Sequence, residues 1–123
     1  MTDMLNILLI EDRNADFLLV ERHLKQNGLT VCCHRVDSIE GLKEALVRAN
    51  WDLVLSDYSV PQLNFQESLN LLWAELPDLP VIMVTGTVGE EKAVELLKLG
   101  VRDFVLKRNL ARLVPAVQRC QPL

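Results

Sequence analysis

No apolar run in this sequence approaches the roughly 20 residues a membrane-spanning helix requires, so the half of the chain that is hydrophobic belongs in an interior. Positive charge is also scarce. Thirteen Lys and Arg against 17 Asp and Glu leave a formal net charge of −4, with no footprint for nucleic acid or an anionic membrane. The opening stretch MTDMLNILLI carries acidic Asp3 ahead of its apolar run, without a basic lead or a small-residue cleavage site. No signal peptide is therefore expected. Cysteine is limited to Cys32, Cys33 and Cys120. Adjacent cysteines do not readily bridge, CxxC metal spacing is missing, and on a strand the first two would point to opposite faces. Reduced thiols in a cytoplasmic protein are expected. Linkers, repeats and low-complexity segments are lacking too, so residues 1–123 read as one domain, long enough for a real core.

What is present is an alternation of two periods. Apolar runs begin at residues 6 (NILLI), 30 (TVCCHRV), 52 (DLVLS), 80 (PVIMVT) and 102 (RDFVLK), which are 24, 22, 28 and 22 residues apart. That is the length of a strand, a helix and two short loops. Between the runs the spacing becomes helical: Phe17, Val20 and Leu24; Ile39, Leu42, Leu46 and Ala49; Phe65, Leu69, Leu72 and Leu76; Ala93, Leu96, Leu97 and Gly100. Asn14 is expected to cap the first helix and Gly28 to close it, with Gly100 as a second stop. Pro115 belongs in a first turn, which starts the last helix near Leu113. Trp51 and Trp73 fall at helix ends and are expected to cover core edges. Successive βα units with strands too apolar to be half solvated predict an α/β fold, a parallel sheet covered by helices on both sides.

Ligands in such sheets bind outside the carboxyl ends of the strands, so the strand exits are the places to read. The first strand runs into Glu11-Asp12, the third ends at Asp57, the fourth at Thr85 and the fifth at Lys107. Carboxylates gathered there repel: two like charges ~4 Å apart cost on the order of 4 kcal/mol at an effective dielectric near 20. A hard divalent cation removes that cost, and an all-oxygen ligand set with waters suits Mg²⁺. A carboxylate beside a metal, a lysine and a hydroxyl can accept a phosphoryl group.

These segments, LLIEDR, VLSDYSVP, VIMVTGT and DFVLK, resemble in order and spacing the signature segments of receiver domains of two-component response regulators, including the chemotaxis response regulator. The resemblance covers essentially the whole chain. It implies a flavodoxin-like sheet of five parallel strands in order 2-1-3-4-5, with two helices on one face and three on the other. Asp57 resembles the phosphoacceptor and Asp12 a direct Mg²⁺ ligand. Glu11 resembles the second acidic residue, acting through water, and Ser59 the residue lending a backbone carbonyl to the metal. Thr85 and Lys107 would hold the phosphoryl oxygens. Phe104 sits at the family's switch aromatic, although the residue alone reads equally well as a core phenylalanine. The implied partners are a histidine kinase or phosphotransfer protein, and an output domain or target at the face of helix four, strand five and helix five. Nucleic acid and membrane are not implied as direct partners. Such a protein promotes only its own phosphorylation and hydrolysis, so it is not expected to be an enzyme.

The departures from the pattern are specific. Arg108 stands where the family usually has proline after the lysine, often behind a cis bond, and a cis bond before a non-proline residue costs about 3 kcal/mol. Phe65 stands where glycine is usual, which disfavours a positive backbone angle there. Gly86 replaces a common alanine and predicts a looser loop. These changes feed one rival, a pseudo-receiver that keeps the fold as a constitutive interaction domain. A second rival, a flavodoxin-like cofactor binder, would need a phosphate loop after strand one, where EDRNAD would repel phosphate without a metal. His23 and His34 are expected to face solvent. Arg102, Lys107, Arg108 and Arg112 form either a partner surface or a solvated face.

Overall fold

The computed structural model describes residues 4–86 and 90–120, so Asp3 lies outside the described residues. Its strands are β1 Leu5–Ile10, β2 Val31–Val36, β3 Leu53–Ser56, β4 Val81–Thr85 and β5 Asp103–Leu106. The helices are α1 Asn14–Gln26, α2 Ile39–Arg48, α3 Phe65–Glu75, α4 Glu90–Leu99 and α5 Leu113–Arg119. All four strand pairings are parallel, in the order β2-β1-β3-β4-β5. This is the fold expected from the resemblance.

Strand alternation divides the interior in two. Ile7 and Leu9, with Leu53, Leu55, Ile82, Val84 and Val105, pack against Val20 and Leu24 of α1 and Leu113, Ala116 and Val117 of α5. Leu8 and Ile10, with Val54, Val81 and Met83, pack against Leu42 of α2, Leu69 and Leu72 of α3 and Leu96 of α4. Two helices therefore cover one face and three the other. Cys32 is exposed, Cys33 half-buried, and Cys32, Cys33 and Cys120 are all free. Burial pushes the Cys33 thiol up to about 12, and its side chain packs against the core.

The helix ends correct several sequence readings. Asn14 is not the cap of α1; Arg13 holds that position in extended geometry, and Asn14 is already helical. The Arg13 N–H is instead taken by the Glu11 side chain at 3.1 Å. Ala49 lies beyond α2 with extended backbone, and Leu76 is the residue after α3. Leu97 is 41% exposed, so the stripe of α4 that enters the core is Ala93 and Leu96. Gly28 and Gly100 do stop their helices, with φ of 89° and 122°. Trp51 and Trp73 both pack on the core edge, each donating its indole N–H to a carbonyl, of Ala45 and Leu79 respectively. His34 is exposed and His23 half-buried.

Candidate functional site: an acidic pocket at the strand exits

The alternation that sorts the core also aims the site. Glu11, Asp57 and Lys107 each lie two residues beyond an apolar residue that faces α1 and α5: Leu9, Leu55 and Val105. They therefore converge from three strands above that face. Thr85 follows the parity of Met83, on the opposite face, and reaches the same carboxylate from the other side.

Asp57 is 9% exposed and both its oxygens are engaged. The Thr85 hydroxyl donates to Oδ1 at 2.9 Å, as does the Ser59 N–H at 3.3 Å. Lys107 Nζ donates to Oδ2 at 2.9 Å. The same ammonium lies 2.6 Å from Glu11 Oε2 and 2.8 Å from Asp16 Oδ2. Burial alone would lower the pKa of Lys107; hydrogen bonds to Asp16, Glu11 and Asp57 more than reverse this and hold it above its ordinary value. Glu11, 2% exposed, is raised above 4.5, chiefly by burial, against the lowering effect of Lys107 and the Arg13 N–H.

Glu11, Asp12 and Asp57 each offer a carboxylate oxygen within 4.8 Å of the others. Three hard anionic donors so close form a set suited to a divalent cation. Thus Glu11, Asp12, Asp57, Thr85 and Lys107 are brought together as the spacing predicted, and Ser59 joins through its N–H. Asp16 was missed. An acid in a first helical turn is explained by the helix dipole alone, and its spacing of four from Asp12 was the only signal.

The departures are accommodated locally. No cis peptide bond occurs among the described residues; after β5 the chain enters a 3-10 segment, Lys107–Arg112, broken at Asn109. Phe65 opens α3 directly behind Asn64, whose side chain accepts the Glu67 N–H, and packs 5.3 Å from the Tyr58 ring. The basic run is not one surface. Lys107 enters the pocket, Arg112 pairs with Asp103 at 3.5 Å, and Arg102 and Arg108 are exposed.

Residues 7–118 match the family model described as the response regulator receiver domain. The chain belongs to this family. Its receiver domain is 31% identical over 109 residues to the response regulator protein FleR of Pseudomonas aeruginosa, covering 86% of this chain and 22% of that one. It is 24% identical to the chemotaxis protein CheY of Listeria monocytogenes, covering 85% and 87%. Among solved structures, a receiver domain protein from Clostridium thermocellum aligns with TM-score 0.79 at 25% identity, over 94% and 93% of the chains. TrrA of Thermotoga maritima, solved in complex with Mg(2+)-BeF, aligns with TM-score 0.79 at 20% identity, over 96% and 100%. The chain spans 22%, 54% and 43% of the length of three curated relatives. Receiver domains of two-component systems are signalling switches. Among the described residues, no helix is long and apolar enough to cross a membrane.

Proposed function

We propose that the chain accepts a phosphoryl group on Asp57 from the phosphohistidine of a histidine kinase or phosphotransfer protein. The observation that carries this reading is the double engagement of buried Asp57, by the Thr85 hydroxyl and the Lys107 ammonium, beside the carboxylates of Glu11 and Asp12. One Asp57 oxygen attacks phosphorus while the bond from phosphorus to the imidazole nitrogen breaks, its electron pair returning to the ring. The hydroxyl and the ammonium, already aimed at the carboxylate, turn to the phosphoryl oxygens and stabilise their charge. Asp12 and Asp57 would ligate Mg²⁺ directly, Glu11 through water and Ser59 through its backbone carbonyl. Bound there, the ion neutralises charge on the oxygens of the transferring group. No separate substrate is turned over; the chain serves its own phosphorylation and hydrolysis.

Residues 1–123 form the receiver unit in this reading, working in the cytoplasm, where free thiols persist. The acyl phosphate biases the α4–β5–α5 face toward an output domain or target. Val94 and Leu97 on α4 stand 50% and 41% exposed, and with half-buried Phe104 they line a groove between α4 and β5. Such an apolar strip suits a protein partner.

The deciding experiment is intact-mass analysis after acetyl phosphate and Mg²⁺. The parent gains one phosphoryl group; Asp57→Asn, folded by circular dichroism, gains none. Undiminished labelling of the variant would move the acceptor elsewhere.

A further inference from the structure

The Lys107 ammonium lies among three carboxylates, Glu11, Asp16 and Asp57, at 2.6, 2.8 and 2.9 Å, and donates hydrogen bonds to Asp16 and Asp57. Two of these belong to the acidic cluster that suits a cation. Asp16 does not: it sits in the first turn of α1, its side chain 21% exposed, with the exposed Arg13 guanidinium the other cation near it among the described residues, at 3.8 Å. We propose that Asp16 is a positioning residue that retains Lys107 at the pocket rim when Glu11 and Asp57 turn their oxygens to a divalent cation. The inference rests on the function proposed above.

The argument is one of competing charges. In the metal-free pocket Lys107 partly offsets the charges of Glu11 and Asp57, and so competes with any cation for them. With a dication held there, Glu11 and Asp57 would turn to it, leaving Lys107 two fewer carboxylates to pair with. Asp16, which is not a member of that acidic cluster, stays available to the ammonium. Lys107 is thereby drawn off the metal ligands without being lost to solvent, and its remaining N–H groups are free for phosphoryl oxygens. Without the Asp16 charge, Lys107 has no anion to turn to except those the cation needs. Cation binding must then weaken, and Lys107, once displaced, becomes mobile.

The test compares the parent with Asp16→Asn, which keeps shape but loses charge, and Asp16→Glu, which restores charge. Calorimetric Mg²⁺ titration should give an affinity about tenfold weaker for the Asn variant, as expected for one unit charge nearby, and within about twofold of the parent for the Glu variant. Side-chain NMR of ¹⁵N-lysine should show a protected Lys107 ammonium signal in the metal-free parent. That signal persists in the parent on adding Mg²⁺ and disappears in Asp16→Asn. Thermal melts without metal separate these effects from a loss of fold. If the Asn variant binds Mg²⁺ like the parent and keeps its Lys107 signal, the role assigned to Asp16 is wrong while the proposed function stands. A parent that binds no Mg²⁺ overturns the metal reading and this inference together.

Discussion

Asp57 and Glu11 occupy one pocket with different electrostatic burdens. Asp57 receives hydrogen bonds on both oxygens, whereas Glu11 is buried deeply enough that desolvation raises its pKa despite Lys107. The sign of the consequence follows from proton counting. Between the ordinary value of 4.5 and the raised folded value, the folded chain binds more protons than the unfolded one. Stability from this group is therefore complete below the ordinary value and declines as pH rises through the folded one. Glu11→Gln removes that titration. Urea melts of metal-free protein between about pH 4 and pH 8 should accordingly show a flatter pH dependence for the variant than for the parent. Parallel curves would mean that Glu11 does not titrate as its burial requires.

At the scale of elements, the loops that depart from the family pattern are held by ordinary local devices. Asn64 caps α3 through the Glu67 N–H at 3.0 Å, a bond worth ~1 kcal/mol in typical helices. Phe65 then contributes a buried side chain in place of a flexible glycine. The end of α4 is stricter. Gly100 has φ of 122°, and a Cβ there would stand 3.3 Å from Cη2 of Trp73. Gly100→Ala thus combines backbone strain with a crowded aromatic edge and should cost about 1–3 kcal/mol, seen as a lower urea midpoint. An unchanged midpoint would show that the α4–β5 turn relaxes freely.

Across the whole molecule, a phosphoryl group at Asp57 can shift conformation only by its different affinity for the two states. Moving a population from 1:99 to 99:1 needs ~5.5 kcal/mol; a charge-assisted hydrogen bond is worth about 1.5–3 kcal/mol in all, and because Thr85 already donates to the Asp57 carboxylate, exchanging that bond for one to a phosphoryl oxygen supplies less than this. Lys107 must contribute, and a partial shift is expected. Thr85 pairs with Leu106, two residues beyond Phe104 on β5, and its hydroxyl already donates to Asp57 at 2.9 Å, so only a change in that bond on phosphorylation would be felt at the half-buried ring. Thr85→Ala should leave labelling of Asp57 possible while reducing the NMR shift changes that a beryllofluoride mimic produces at Phe104 and along α4. A full parental response in the variant would disconnect Thr85 from Phe104.

The sequence by itself determined the alternation of strands and helices, because a period of two and a period near 3.6 cannot both bury the same apolar residues. It also determined the chemistry of the strand exits. Glu11, Asp12, Asp57, Thr85 and Lys107 follow directly on apolar runs, so locating the strands locates the pocket. Strand order came from the family resemblance, since which parallel strands lie side by side leaves no local mark. Only the tertiary structure decided the fate of residues whose local explanation was already sufficient. Leu97 fits a helical stripe yet is 41% exposed, because among the described residues α4 turns Ala93 and Leu96 inward. Asn14 is a good capping residue, but Glu11 takes the N–H at the helix start. Asp16 looks like an ordinary first-turn acid, yet it lies 2.8 Å from a lysine 91 residues away in sequence. That contact exists because α1 packs on the face of the sheet that Val105 of β5 shares, with Lys107 two residues beyond it, a long-range geometry that no local pattern encodes.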